Sequence, residues 1–380
     1  MNMTGLNEGT DNLNYNMSMN GTSNSTGVLS ETPMYILVIS TVFFLLIFIV
    51  GLVGNIYIIA LVCGVKHMRT KMSLLFVNLS ITDLLVLMIC MPSGAVDVYA
   101  DEVWYFGEAA CVLVIFLESA VTLASCLTIL VIAVDRYLAI CKSTTDNVWK
   151  RLSVTTKMIG IWTLAISTSV PFAFAVKFKD EKYEDGTTVK KCYPSLDSTW
   201  KIGYYLSVSV VFFCMVFLIL VILIQRMASV LLQASNLFEG QIQTKRIRER
   251  RRVAVMLFLI AVCFFVCLLP VRLLVIWFIY DGGKQISGLG EEAYKNLTIS
   301  VRMVMYLNSA LSPVIYNSMS TNVRKVTASL LSKWCILCKK QRKYEIGNQN
   351  IAITRRKSDI PGRQREFNLG QISIITLNQL

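Results

Sequence analysis

Seven separate apolar stretches, each long enough to cross a bilayer, leave this chain few folds to choose from. They cover residues 34–63, 72–91, 109–141, 157–176, 204–227, 253–280 and 297–319. About 20 apolar residues of α-helix span the hydrocarbon core of a membrane. No water is present there to bond an open backbone, so such stretches are helices that satisfy their own N–H and C=O groups. The 380-residue chain is 54% hydrophobic and 16% charged, which is too apolar for a water-soluble protein of this length. The predicted fold class is an all-α membrane protein, a seven-transmembrane helix bundle.

Positive charge between the stretches gives the orientation, because cytoplasmic loops retain Lys and Arg. No Lys or Arg precedes Lys66; the odd-numbered connections then carry Lys66, Arg69 and Lys71, next Lys142, Lys150 and Arg151, and next Arg226 with Lys245, Arg246, Arg248 and Arg250 to Arg252. Those connections are predicted to be cytoplasmic, with an extracellular N-terminus, in a multi-pass protein of the plasma membrane. The net charge of +13 lies mostly in this collar and the tail, which suits anionic lipid headgroups rather than nucleic acid.

Four segments follow: a tail over 1–33, the bundle over 34–320, a surface helix over 321–338 and a polar tail over 339–380. The first has no basic n-region and no early apolar run, so it does not read as a cleaved signal peptide. It is rich in Asn, Ser, Thr and Gly and holds glycosylation sequons at Asn2, Asn16, Asn20 and Asn24, with another at Asn296. An extracellular, glycosylated, disordered tail is expected. In the third segment Val323, Val326, Leu330 and Leu331 alternate at helical spacing with Arg324, Lys325 and Lys333, the pattern of an amphipathic helix lying on the membrane. Cys335 and Cys338 at its end are candidate palmitoylation sites. In the last segment Arg355-Arg356-Lys357-Ser358 fits a basophilic kinase site of low specificity.

A charged side chain near the middle of a bilayer costs about 2.5–3.5 kcal/mol on insertion scales, so each one within the stretches needs a partner or a purpose. Asp83 lies at mid-depth, level by helical rise with Ser125, Asn308 and Ser309. Such a set either holds a hydrated sodium ion or forms a water-linked cluster that orders the helices. Nearer the outside, Glu118, Arg272 and Arg302 fall at a common depth of about 8–12 Å. Arg272 follows the helix-bending Pro270 by two residues. These three either read a ligand's carbonyl, carboxylate or amine groups, or form an internal Glu118–Arg302 salt bridge. One acid does not neutralise two arginines, which favours ligand contact.

Cys111 and Asp135 stand 24 residues apart, roughly 36 Å of helix at about 1.5 Å per residue, and so face opposite compartments. Most of the 11 cysteines lie within the stretches. Cys111 and Cys192 stand apart on the oxidising side, where a bridge would tether the second outer loop over the bundle. At the inner end, Asp135-Arg136-Tyr137 sets an acid beside a base, and Asp135 is expected to hold Arg136 until release frees the guanidinium for another helix or a partner protein.

These elements occur in order with Gly54-Asn55, Asn78-Leu79, Trp104-Tyr105-Phe106-Gly107, Trp162, Cys267-Leu268-Leu269-Pro270 and Ser312-Pro313-Val314-Ile315-Tyr316. Over residues 34–338 the chain resembles the rhodopsin-like (class A) G-protein-coupled receptors, in their neuropeptide branch, and most of all the thyrotropin-releasing hormone receptors. The resemblance implies a receptor for an extracellular peptide that acts on a heterotrimeric G protein, is itself no enzyme, and meets arrestin and receptor kinases. It implies ligand binding at Glu118, Ser119, Arg272, Arg302 and Tyr306, a switch at Asp135, Arg136, Tyr137, Pro270 and Tyr316, and a sodium ion near Asp83.

Departures from the pattern matter as well. Ser119, Leu123 and Val271 differ from those receptors and imply a different peptide. Leu268 replaces the usual tryptophan, Ser312 the usual asparagine, and the fifth stretch lacks its proline and its inner tyrosine. These changes point to altered basal activity or selectivity. Other classes fit less well. An amine receptor would use Glu118, but the two arginines oppose a cation. A non-signalling scavenger is opposed by the intact Asp135-Arg136-Tyr137, and an opsin lacks its lysine where Tyr306 stands. No internal repeat suggests a transporter, no filter or pore-lining ring suggests a channel, and the single His67 with no ligand cluster offers no catalytic metal site.

Overall fold

A computed structural model describes residues 33–100, 103–142, 148–182, 188–237, 241–281, 290–320, 323–329 and 332. Seven long helices cross one another in a bundle. They are α1 (Met34–Gly64), α2 (Lys71–Tyr99), α3 (Gly107–Ile140), α4 (Val154–Phe174), α5 (Thr199–Leu206 continuing through Ser207–Phe212 into Phe213–Leu237), α6 (Gln241–Asp281) and α7 (Glu291–Met319). The first six are long and apolar enough to cross a membrane; α7 is the more polar one. Several helices outrun their apolar stretches. In α6 the arginine-rich segment is itself helical, since Arg, Lys, Gln and Glu are good helix formers where the chain leaves the apolar zone.

Between α4 and α5 the chain forms a hairpin, β1 (Val176–Lys182) against β2 (Thr188–Pro194), antiparallel with Phe178 opposite Cys192. The apolar pattern gave no sign of it. Asp197 then joins the hairpin to α5, bonding Lys177 at 2.8 Å and Lys201 at 2.7 Å. The two lysines hold its carboxyl below the usual carboxylate range, so this clasp persists at neutral pH and is lost only as the pH falls through that depressed value.

Prolines explain how the bundle is pinned. Pro313 has no N–H to give the carbonyl four residues earlier, which is that of Ser309. Asn55 on α1 supplies the missing donor, its Nδ2 reaching the Ser309 carbonyl at 2.9 Å. Gly54 beside it makes room: a Cβ there would stand 2.8 and 2.9 Å from two ring carbons of Pro313. Asn78 ties three more helices, donating to Thr128 of α3 at 2.8 Å and accepting from the Trp162 indole of α4 at 3.0 Å. α2 carries a π-turn at Val86–Cys90 just before Pro92, and α5 one at Ser207–Phe212. The latter distorts α5, a span that has no proline.

Residues 323–329, in the second of two units into which the chain divides, are helical. Cys335, Cys338, Ser358 and the sequons at Asn2, Asn16, Asn20 and Asn24 lie outside the described residues. Asn78, also a sequon by sequence, is buried.

Gly54→Val is expected to destabilise the purified protein by about 1–3 kcal/mol through overpacking against the rigid proline ring, seen as a lower Tm in detergent. Gly160→Ala, where a Cβ meets nothing within 4 Å, should leave Tm unchanged.

Candidate functional site

The hairpin caps one end of the bundle. Cys192 on β2 is disulfide-bonded to Cys111 near the start of α3, and the Trp104 backbone N–H bonds the Lys190 carbonyl at 2.7 Å. Trp104 is buried, its indole donating to the Gly107 carbonyl at 2.7 Å. Gly107 opens α3 with φ of 79°, a left-handed conformation suited to glycine. The Trp104-Tyr105-Phe106-Gly107 sequence is therefore a tight corner that fixes α3 and the hairpin together.

Beneath this cap lie four charged side chains rather than the three expected. Arg302 of α7 pairs with Asp97 of α2 at 2.5 Å, not with Glu118. That corrects the internal salt bridge weighed from sequence. Asp97 escaped notice because it lies beyond the second apolar stretch; a carboxylate at the depth of Arg302 was the available signal. Arg272 on α6 donates to Ser209 in the π-turn of α5 at 3.2 Å, and its Nε is buried without a hydrogen-bond partner. Glu118 makes no ion pair among the described residues, yet feels the charges of Arg302, Arg272 and Asp97. Two acids and two bases thus share this cup, with one of each sign committed to the other.

The remaining residues expected to meet ligand have helix partners. Tyr306 is buried, donating to the Cys90 carbonyl at 3.0 Å and packed against Gly94. Ser119 accepts from Ser169 of α4 at 3.1 Å. Asn296 lies inside α7, and its amide, the group a glycan would occupy, donates to Tyr35 at 2.9 Å.

Below the cup the Arg272 guanidinium stands 6.0 Å from the Phe213 ring centre, and Phe213 and Phe217 meet Phe265 edge-on at 4.7 and 4.9 Å. Phe265 in turn touches Phe264. These aromatics link α5 to α6 one turn before Leu268, which is buried, and Pro270. At mid-depth Asp83 is buried; Ser309 and Ser312 present hydroxyls to its carboxyl group, while Oδ2 has no hydrogen-bond partner. Asn308 is buried nearby, and Ser125 bonds Thr82 at 2.8 Å. An orphaned carboxylate oxygen among hydroxyls is a donor set that fits a small hard cation.

At the opposite, arginine-rich end the expected Asp135–Arg136 pair is replaced. Asp135 accepts on one oxygen from Lys157 of α4 and from the Trp149 indole, both at 2.6 Å. Arg136 Nε is buried without a partner. The acid is thus turned to α4 and makes no ion pair with Arg136. Lys157 was read only as the edge of the fourth apolar stretch; a lysine opening such a run was the signal missed. Tyr316 is buried against Phe76, ring centres 4.3 Å apart. Tyr137 packs on a cluster of Ile140, Met227, Leu231 and Ala254, which closes α3, α5 and α6 together.

The profile of the 7 transmembrane receptor (rhodopsin family) matches residues 54–316. The chain belongs to this family. The receptor is similar to mouse neurotensin receptor type 1, 26% identical over 362 residues that cover 85% of each chain. Zebrafish galanin receptor 2a is 29% identical over 294 residues, 76% of each. The chicken thyrotropin-releasing hormone receptor is 26% identical over 367 residues, 88% of this chain and 89% of its own. Similar identity to receptors of several names supports the branch read from the motifs more than any single member of it. As a family member the receptor is a signalling protein, not an enzyme.

In thermal unfolding of the purified receptor, Asp97→Asn and Arg302→Gln should each lower Tm and be non-additive, with a coupling of about 1–3 kcal/mol. A cycle between Glu118→Gln and Arg302→Gln should show much less coupling.

Proposed function

We propose that this receptor binds an extracellular neuropeptide at the hairpin end and passes the event to a heterotrimeric G protein at the arginine-rich end. The observation that carries the reading is the cup: Glu118 and Arg272, on facing helices, keep polar capacity that no neighbouring ion pair takes up, beneath a tethered hairpin. A peptide offers carbonyls and N–H groups to both. The relatives named for neurotensin, galanin and thyrotropin-releasing hormone support the same class of ligand. The disulfide, which persists in oxidising compartments, and the arginine-rich opposite face support an extracellular hairpin end and N-terminus in the plasma membrane.

Ligand held by Arg272 pulls on the guanidinium that sits over Phe213, and so on the aromatic contacts between α5 and α6. Coupling then requires the cluster of Ile140, Met227, Leu231 and Ala254 to part and expose Arg136. Asp83 with Ser309 and Ser312 would hold a sodium ion, which would supply charge to a carboxylate otherwise buried alone. Glycans on the N-terminal sequons, palmitate on Cys335 and Cys338, and arrestin and receptor kinases at the C-terminal tail complete the proposal.

Cells expressing the receptor should answer at least one member of a neuropeptide panel with a calcium or cyclic-nucleotide signal. Arg272→Gln, matched for surface expression, should raise the half-maximal concentration about 10- to 100-fold, the range of a lost charge-assisted hydrogen bond. Silence across the panel with normal surface expression would overturn the reading.

A further inference from the structure

The Asp135 carboxylate is bound by groups from outside its own helix. Lys157 Nζ and Trp149 Nε1 each lie 2.6 Å from the same oxygen, and the ammonium stands 4.9 Å from the Trp149 ring centre. The Lys157 and Asp135 side chains are only 4% and 12% exposed. A lysine this deeply buried is almost never found without a counter-charge, so Asp135 is what keeps Lys157 in place, and the reverse. Carboxylate, ammonium and indole form a closed unit joining α3, α4 and the helical turn Val148–Arg151.

Arg136 is left outside that unit. Its Nε is buried and unbonded; the α6 segment that leads into Ala254 carries Arg248, Arg250, Arg251 and Arg252, charges of the same sign, all exposed with Glu249 among them. The carboxylate adjacent in sequence is the one that Lys157 occupies.

We propose that Lys157 is a positioning residue for G-protein coupling: by holding Asp135 against α4 together with Trp149, it keeps that carboxylate from closing an ion pair on Arg136, so that the parting of the α3–α5–α6 cluster is the one restraint left between the guanidinium and the G protein. The inference rests on the receptor reading above. It gives physical content to the altered basal activity suggested by the sequence departures, because one restraint fewer on Arg136 shifts the resting equilibrium towards the state that exchanges nucleotide without ligand. Removing the Lys157 ammonium leaves Asp135 free to rotate towards Arg136, its neighbour on α3, and restrains it.

The test is nucleotide exchange on purified heterotrimeric G proteins in membranes from cells expressing the full chain, without ligand, normalised to surface receptor. Basal exchange by the natural receptor should exceed that of Arg136→Ala. Lys157→Gln should lower it about fivefold or more, the scale of a coupling energy of 1 kcal/mol. Lys157→Arg should retain it, and Asp135→Asn combined with Lys157→Gln should restore it, because no carboxylate is then left to capture Arg136. Recovery in the double variant is what a merely structural lysine would not give. If Lys157→Gln does not reach the surface, Trp149→Phe removes one donor from the same oxygen and should lower exchange in the same direction. Basal exchange equal to Arg136→Ala, a rise or no change in the lysine variant, or a loss that the double variant fails to reverse would overturn the proposal. Failure of the receptor reading looks different: the natural chain would drive no exchange with any peptide added, whereas failure of this proposal leaves peptide-driven exchange intact.

Discussion

Within the apolar zone of this bundle a polar group has no bulk water to turn to, so a bond its own helix does not supply must come from another helix. The Ser309 carbonyl freed by Pro313 and met by Asn55 shows how far the architecture follows from that constraint. One proline creates the need and one asparagine meets it, while the glycine beside the asparagine lets the two helices approach. Asn78, held between Thr128 and Trp162, does the same for α2, α3 and α4. Once α3 is fixed by these bonds, Cys111 is fixed at one end and Asp135 at the other, and the hairpin and the coupling face follow.

Charges at both ends obey a related rule. Within the bundle, the ion pair at each end joins two helices: Arg302 of α7 to Asp97 of α2, and Lys157 of α4 to Asp135 of α3. Adjacent residues on a helix diverge by about 100°, so a carboxylate is better matched by a cation that approaches from across a helix interface. Pairing across helices also makes each bridge a constraint on the bundle. Strain at one bridge is thereby felt by two helices, which is the property a receptor needs if it is to change shape as a unit.

Two of the departures from the family pattern lie where α5 meets α6. α5 takes a π-turn at Ser207–Phe212 instead of a proline distortion, and that turn places Ser209 against Arg272 and Phe213 beneath it. Leu268, where the family pattern has a tryptophan, lies one turn beyond an aromatic group built from Phe213, Phe217, Phe264 and Phe265. π-turns recur at functional sites because one surplus residue re-aims the side chains around it. Here it aims one residue into the cup and another at α6.

The sequence alone determined the helix number, the arrangement of loops and the depth of the buried charges, because these depend on composition and on the 1.5 Å rise, both local quantities. It named Glu118, Arg272 and Arg302 together, and Asp83 with Ser309, for the same reason. Depth, however, carries no information about azimuth. Which acid meets Arg302, whether Asp135 looks to Arg136 or to Lys157, and whether Tyr306 and Ser119 face the cup or a neighbouring helix depend on helix rotation and tilt. Those were decided only by the tertiary packing, through the fit of Gly54 to Pro313 and the bonds of Asn55 and Asn78. The hairpin, too, was beyond the apolar pattern, since its polar strands are held by cross-strand bonds and a disulfide rather than by burial.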